Sequence, residues 1–197
     1  MSAWTTLPTL TGRHARLVPL HAGHADALAD AVADGELWRL PWTRVPAPDQ
    51  VPDWIARALD EHGHGRALPF CVLDGEGRVV GSTRLGHLDP DNRRAEIGWT
   101  WYAARVQRTA LNTQAKRLLL AHAFGPMACV AVELRTHRLN HRSRRAIERI
   151  GARLDGILRN HMAMPDGTLR DTAVYSILDS EWPAVRGHLD FLLERHA

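Results

Sequence analysis

Two stretches of the sequence place basic and polar side chains where a strand leads into a helix. One runs from Gln107 to Thr113, and the other runs from Asn140 to Arg145. The first turn of a helix leaves backbone N–H groups without partners and carries a partial positive charge, so phosphate groups bind there. Either stretch alone is typical of an exposed connection, but the two helix starts together indicate a site for a phosphorylated ligand.

A single carboxylate is the candidate for acid–base chemistry. Glu96 lies in a strand predicted over 93–101, whose side chains alternate between two faces. One predicted face carries Ala95, Ile97, Trp99 and Trp101, and the other carries Glu96, Gly98 and Thr100. A carboxylate beside an apolar cleft has a raised pKa and becomes a better general base near neutral pH. The alternative is a structural glutamate that pairs with Arg94 or Arg84.

Neither the cysteines nor the histidines indicate further chemistry. Cys71 and Cys129 fall in apolar strand patterns, which favours buried structural residues over nucleophiles. Two cysteines do not make a disulfide framework, so we expect both to be reduced. His137 and His141 span a strand end and a helix start, and without a third ligand they predict no metal site.

The composition is typical of a soluble globular protein with one domain. The 197 residues are 45% hydrophobic and 24% charged, and 25 basic against 22 acidic residues leave a net charge of +3. That charge suits an anionic ligand and is too small to indicate nucleic acid as a partner. Lys116 is the only lysine, which we interpret as a compositional bias toward arginine.

The sequence also predicts the compartment. No apolar run approaches the ~18 residues of a membrane span, and residues 1–10 lack the basic start and apolar core of a signal peptide. We therefore expect a cytoplasmic protein without a membrane partner.

Hydrophobic periodicity predicts one α+β domain over residues 1–197, with helices flanking a mostly antiparallel sheet of six to seven strands. The predicted strands cover 14–20, 69–73, 78–88, 93–101, 129–136, 155–162 and 169–178, and the predicted helices cover 22–33, 51–62, 112–124, 141–150 and 182–196. The element order is therefore β-α-α-β-β-β-α-β-α-β-β-α. The proline-rich segment 35–50 carries Trp38 and Trp42, which either line a ligand groove or pack the first two helices on the sheet.

A series of motifs follows these elements in a characteristic order. They are Phe70, Gly81, Ala95-Glu96-Ile97-Gly98, Asn140, Ser143, Ala146-Ile147-Glu148, Ile150-Gly151-Ala152, Gly156-Ile157-Leu158-Arg159, Asp166-Gly167, Arg170-Asp171, Tyr175-Ser176-Ile177-Leu178 and Glu181-Trp182-Pro183. The series resembles the GNAT superfamily of N-acetyltransferases, and within it the ribosomal-protein alanine N-acetyltransferases of the RimJ/RimL type. The resemblance covers the chain from about Arg16 to the end, and residues 112–116 resemble a variant found in part of that branch.

The resemblance implies that coenzyme A lies in a V-shaped opening between the fourth and fifth predicted strands. Its pyrophosphate would rest on the loop that opens the third helix, where the family pattern is Gln/Arg-x-x-Gly-x-Gly/Ala. Residues 107–112 fill this pattern with two departures, Ala110 and Asn112. A positive φ at Ala110 would be strained, whereas Asn112 tolerates it better and is able to cap the helix.

Acetyl-CoA is the implied cosubstrate. Its implied contacts are Gly98, Trp99, Thr100, Gln107, Arg108, Thr109, Ala110, Leu111, Asn112, Thr113, Asn140, Ser143, Arg144 and Arg145. Asn140 would hold the pantetheine amide, and Arg144, Arg145 or Lys116 would reach the coenzyme phosphates.

The resemblance also implies catalytic roles. Glu96 is the implied general base, acting through a water molecule, and Ser143 is the implied proton donor to the leaving thiolate. Water is the alternative donor, because Ile147 stands where many relatives have a tyrosine. Backbone N–H groups around Gly98 would polarise the thioester oxygen.

The predicted function is acetyl-CoA-dependent N-acetylation of a primary amine through a ternary complex, with a protein or peptide N-terminus favoured and a small-molecule amine next. An α-amino group has a pKa of ~7.7–8.0, so part of it is already neutral at pH 7.

An inactive acyl-CoA sensor is the alternative function, motivated by Ala110, Asn112 and Ile147. A nucleic-acid-binding module that uses the arginines of 142–149 is a third reading, and the mild net charge disfavours it. A homodimer is common among relatives.

Overall fold

The computed structural model describes residues 2–164 and 166–195, which form five α-helices and one sheet of eight strands. The strands are β1 (Leu10–Thr11), β2 (Arg16–Pro19), β3 (Leu68–Leu73), β4 (Val79–Asp89), β5 (Arg94–Tyr102), β6 (Ala131–His137), β7 (Arg153–Ala163) and β8 (Leu169–Leu178). The helices are α1 (Ala25–Ala33), α2 (Val51–Gly63), α3 (Leu111–Phe124), α4 (His141–Arg149) and α5 (Trp182–Glu194). The predicted α+β class and the mostly antiparallel sheet are confirmed.

The sheet holds one strand more than the sequence predicts. Leu10–Thr11 pairs antiparallel with the start of β2, and two residues are too few for a periodic signal. The other predicted elements recur with small shifts at their ends. The predicted end of the last helix at residue 196 lies outside the described residues.

The strand order β1-β2-β3-β4-β5-β6-β8-β7 leaves one opening in the sheet. All neighbours are antiparallel except β5 and β6, which run parallel and pair at three positions only, ending at Glu96 and Glu133. Beyond that point β5 continues to Tyr102 along β4, while β6 continues to His137 along β8. We call the gap between 97–102 and 134–137 the wedge.

Each face of the sheet carries its own hydrophobic cluster. The amphipathic α2 buries Val51, Trp54, Ile55 and Ala58, and with α1 it covers one face. On the other face α3 buries a residue on every turn, including Leu111, Ala115, Leu119 and Ala123, and α5 packs beside it. In the described residues, no helix is long and apolar enough to cross a membrane.

The predicted alternation along β5 is wrong from Trp99 onward. Ala95 and Ile97 pack in the α3 cluster, whereas Trp101 packs in the α1/α2 cluster against Trp54. The cause is a β-bulge, because two residues of β5 stand opposite one residue of β4 and Trp99 adopts a positive φ of 50°. The bulge turns the following side chains to the opposite faces.

The two cysteines are buried, as predicted. Cys71 lies in β3 and Cys129 lies just before β6, and both are free thiols within the clusters. Burial raises the pKa of Cys71 to about 12 and that of Cys129 to about 11. Both thiols are therefore protonated at neutral pH and are poor nucleophiles.

Candidate active site

Glu96 occupies the last paired position of β5, at the apex of the wedge. It is only 7% exposed, and its Oε2 accepts a hydrogen bond from His87 Nδ1 at 2.8 Å. Arg135 Nε lies 3.4 Å from the same oxygen. The predicted alternative partners are elsewhere, because Arg94 pairs with Glu133 and Arg84 faces tryptophan rings.

His87 connects the buried carboxylate of Glu96 with solvent. Its side chain is 61% exposed, and in the described residues Nε2 has no hydrogen-bond partner. A second irregularity in the β4–β5 register gives His87 a positive φ of 45° and aims its ring at Glu96. The hydrogen bond to Glu96 is the main cause that raises the pKa of His87 above its usual 6.5. The arrangement is a carboxylate–histidine pair with one free nitrogen.

A buried arginine holds the neighbouring Trp99 in place. The Arg84 guanidinium is 5% exposed and lies 5.1 Å from the Trp54 ring and 4.9 Å from the Trp99 ring. Burial lowers the pKa of Arg84 to about 10. The Trp99 ring also makes an edge contact with His87, so the stack supports the exposed histidine.

On the face of the sheet covered by α3, β5 beyond its pairing with β6 carries the polar side chain of Thr100. Thr100 Oγ1 accepts a hydrogen bond from Lys116 Nζ of α3 at 2.8 Å and lies 2.7 Å from Thr83 Oγ1. Gly98 precedes this pair, and a Cβ on it would lie 2.8 Å from Glu96 Oε1. Glycine at this position therefore leaves room for the carboxylate.

The start of α3 differs from the expectation in two ways. Ala110 has a right-handed φ of −66°, so the strain expected there is absent, and the left-handed residue is Arg108 with φ 64°. Asn112 lies inside the helix and does not cap it, while Thr109 Oγ1 accepts from the Leu111 N–H at 3.3 Å. A cavity of about 210 Å³ borders this start and is lined in part by Thr109, Ala110 and Leu111.

The start of α4 lies against that of α3, as the paired helix starts suggested. Asn140 caps α4, because its side-chain oxygen accepts from the Ser143 N–H at 3.0 Å. Arg142 donates to Gln107, which in turn donates to the Tyr102 carbonyl. About two turns further along α4, Arg149 Nη2 donates to Thr113 Oγ1 at 2.9 Å. These bonds hold polar side chains of the two helix starts next to each other.

The remaining predicted site residues have different surroundings. Arg144 donates to the Tyr175 hydroxyl at 2.8 Å, which binds it to the β8 side of the fold. Arg145 is exposed on α4. Trp38 packs against the α1/α2 cluster, which was the structural alternative, and Trp42 is half-buried.

The segment between α1 and α2 reaches the far side of the wedge. Arg44 Nη2 donates to the Ala163 carbonyl at the end of β7 at 2.8 Å. Arg170 of β8 lies near Arg44 and Glu96, and its pKa is lowered by burial first and by the charge of Arg44 second. Basic side chains thus surround the approach to Glu96.

Three features of the candidate site escaped the sequence analysis. They are the His87–Glu96 pair, the contact of Arg84 with two tryptophan rings and the burial of the Lys116 side chain. The described residues contain no group of histidine, cysteine, aspartate or glutamate arranged for a metal ion. A cavity of about 200 Å³ opens beside Glu96 and includes His87 and Arg135 in its lining. The site therefore offers a carboxylate, an imidazole and cations for proton-transfer chemistry.

A splayed mixed sheet, two facing helix starts and a carboxylate at the apex are the features that the resemblance to coenzyme A-dependent acyltransferases implies. Residues 14–153 match the family described as "Acetyltransferase (GNAT) domain". The chain belongs to the GNAT acetyltransferase family, in which acetyl-CoA is the acetyl donor.

Individual relatives agree with this assignment. "Putative ribosomal N-acetyltransferase YdaF" of Bacillus subtilis (strain 168) is 32% identical over 132 residues, which are 67% of this chain and 68% of that protein. A GCN5-related N-acetyltransferase from Brucella melitensis is 34% identical with a TM-score of 0.83, over 94% of this chain and 85% of the other. Mycobacterium smegmatis RimJ, solved in complex with CoA-disulfide, has the same fold at 24% identity and a TM-score of 0.80, over 98% and 97% of the two chains.

Proposed function

We propose that this protein transfers the acetyl group of acetyl-CoA directly to a primary amine in a ternary complex, and that its acceptor is the N-terminus of a protein or peptide. The observation that carries the proposal is the His87–Glu96 pair at the apex of the wedge, 2.8 Å apart and open to solvent through His87 Nε2. A small-molecule amine is the second acceptor class.

The wedge and the two helix starts fit the coenzyme. The free edge of β5 at 98–101 would supply backbone groups for the pantetheine arm. Backbone N–H groups there would donate to the thioester oxygen and make the thioester carbon more electrophilic. The start of α3 from Gln107 to Thr113 is the phosphate site, with Arg108 and Thr109 exposed there. Asn140 and Ser143 line the α4 side, where the Asn140 oxygen already caps the helix and leaves its amide nitrogen for a ligand.

The acceptor must lose protons before and after it attacks. An α-amino group is partly neutral at pH 7, so a base of moderate strength suffices. His87 Nε2 takes the proton from the amine, directly or through water, and Glu96 stabilises the imidazolium that forms. Since His87 must be neutral to act, kcat/KM falls as the pH drops through its raised pKa.

The charges near Glu96 favour some amines over others. Arg44, Arg135 and Arg170 lie near Glu96, and the carboxylates of Glu96 and Glu133 are already paired with basic side chains. These two carboxylates are therefore less available to bind the several cations of a polyamine. A peptide N-terminus presents a single amine and does not require a series of anions. The relative YdaF, described as "Putative ribosomal N-acetyltransferase", supports the same class of acceptor.

Mass spectrometry and thiol release test the proposal on the purified protein. Peptides that begin with alanine or serine should gain one acetyl group, whereas the same peptides with a blocked N-terminus should not. Thermal unfolding with acetyl-CoA at 100 times its Kd should show about 2.7 kcal/mol of stabilisation. Stabilisation without transfer to any amine would support the sensor alternative. If acetyl-CoA neither stabilises the protein nor is consumed, the assignment of the site is overturned.

A further inference from the structure

Lys116 is a buried ammonium group that the proposed reaction has not yet used. It is the only lysine of the chain, 6% of its surface is exposed, and it lies in the second turn of α3. Its Nζ donates to Thr100 Oγ1 at 2.8 Å. In the described part of the chain no carboxylate pairs with it, so a buried cation stands without a counter-ion.

Packing alone does not explain this residue. Its neighbours on the helix, Ala115, Leu119 and Leu120, are fully buried, and an apolar side chain would fill the space without desolvating a charge. Burial is the only cause that lowers the pKa of Lys116, and it lowers it to about 7 from the ordinary 10.5. Arg149, which donates to Thr113 of α3, is a second cation and offers no negative charge.

Thr100 places the ammonium group at the free edge of β5. The last pair between β5 and β6 is at Glu96, so Thr100 lies beyond it in the wedge. Thr100 Oγ1 also lies 3.3 Å from the Gly98 carbonyl oxygen. Lys116 therefore contacts the strand segment to which the proposed function assigns the thioester.

We infer that Lys116 is the proton donor to the coenzyme A sulfur when the carbon–sulfur bond breaks. This role rests on the proposed function and completes its proton balance. The amine nitrogen forms its bond to the acetyl carbon, the carbon–sulfur bond breaks, and the electron pair stays on sulfur. A proton passes from Lys116 Nζ to that sulfur. Of the two protons that an ammonium acceptor gives up, one restores Lys116 and one is released to solvent.

The acidities favour this donor over the others near the wedge. An ordinary thiol has a pKa of ~8.5, so an ammonium group with a pKa of about 7 gives up its proton to a thiolate readily. The Ser143 hydroxyl is a far weaker acid. The Tyr175 hydroxyl is bonded to α4, and burial raises the pKa of Tyr102, whose hydroxyl has no partner.

Kinetics of Lys116→Met test the role, because methionine keeps the volume and lacks the proton. We expect kcat to fall about 10²-fold with an unchanged Kd for acetyl-CoA. In the wild type, kcat should decline as the pH rises through the pKa of Lys116 in the complex, and the variant should lack this decline. His122→Gln, which alters another buried α3 side chain, is the matched control and should keep both kcat and the profile. Wild-type kcat in Lys116→Met, or the same loss in Tyr102→Phe instead, would overturn the role.

A second measurement reads the lysine directly. Because the chain has one lysine, a ¹³C label at lysine Cε gives one side-chain NMR resonance. We expect it to titrate near pH 7 and to shift when coenzyme A is added. Titration near pH 10.4, or no response to coenzyme A, would contradict the inference. An inactive wild type would contradict the proposed function as well, whereas an active wild type beside an equally active Lys116→Met would contradict the role of Lys116 alone.

Discussion

The two faces of β5 each bury a charged group at the wedge, and they treat it in opposite ways. On the α1/α2 face, Glu96 has His87 at 2.8 Å and Arg135 at 3.4 Å. On the α3 face, Lys116 has one neutral partner, the Thr100 hydroxyl. The first group has an imidazole and an arginine as partners, while the second is buried without a counter-ion among the described residues.

This difference suits β5 to the two proposed proton transfers, one from the amine to His87 and one from Lys116 to the coenzyme sulfur. A carboxylate with cationic partners stabilises a proton that arrives on the adjacent imidazole. An ammonium group without an anion holds its proton weakly and releases it near neutral pH. Burial alone does not set the chemistry of a charge, because the partners decide which protonation state the fold prefers.

We expect the substitution that removes the charge of Glu96 to have the largest effect on kcat. Glu96→Gln keeps the shape and loses the group that stabilises protonated His87, so kcat should fall about 10²- to 10⁴-fold. Thermal stabilisation by acetyl-CoA should persist, because the phosphate and pantetheine contacts lie elsewhere. Steady-state kinetics and thermal unfolding of the same preparation check both parts, and undiminished kcat would rule out Glu96 as part of the base.

Lys116→Met should have the largest effect on stability. The unfolded chain keeps the lysine protonated up to about pH 10.5, whereas the folded chain keeps it only up to about pH 7. Between these values the unfolded state binds more protons, so wild-type stability should rise with pH there, by at most about 1.4 kcal/mol per unit.

The variant should lack that rise and should be more stable at pH 7 by about 1–4 kcal/mol, as for other buried charges replaced by apolar groups. Urea unfolding at several pH values measures both quantities. A variant that is less stable than the wild type at every pH would show that the ammonium group has a counter-ion.

A substitution that displaces the Glu96 carboxylate without removing its charge tests whether its position matters for activity. In Gly98→Ala the new Cβ would lie 2.8 Å from Glu96 Oε1, which must move because the side-chain end is the more flexible partner. We expect kcat to fall about 10-fold with little change in Tm. Gly156→Ala is the matched control, since nothing lies within 4 Å of its Cβ. Equal activity of the two variants would mean that the position of Glu96 is unimportant.

The smallest expected effect is the contribution of the His87–Glu96 pair to the stability of the folded protein. The folded-state pKa of His87 is raised, so its ion pair stabilises the protein fully below pH 6.5 and is lost as the pH rises through the raised value. His87→Asn should therefore lose stability relative to the wild type at pH 5.5 and differ less at pH 8.5. Thermal unfolding at the two pH values shows this, and a difference independent of pH would contradict it.

Local patterns were sufficient to find Glu96 and the two helix starts. Glu96 stands in the motif Ala95-Glu96-Ile97-Gly98, and the order of strands follows from apolar periods and turn residues. The cap at Asn140 follows from residue type and position. Each of these features depends on a few adjacent residues, which is the range that sequence patterns describe well.

The partners of these residues depend on features that short patterns do not mark. The two irregularities of the β4–β5 register give His87 and Trp99 positive φ values and direct both rings to the face of Glu96. Neither residue type predicts that backbone, so the predicted alternation placed Trp99 on the wrong face. Lys116 falls one residue after the apolar position Ala115, and only the depth of α3 in the fold shows that its side chain turns inward.

The short parallel pairing of β5 and β6 also bears on how the domain opens and assembles. Three residue pairs join two antiparallel halves, β1–β5 and β6–β8. Apart from the two-pair ladder of β1 and β2, the strands within each half are held by longer ladders. In native-state hydrogen exchange, we expect the amides of this seam to open at a lower free energy than those of β4 or β8. The seam would then be the last part of the sheet to close during folding, because it joins segments that are separated by the whole of α3.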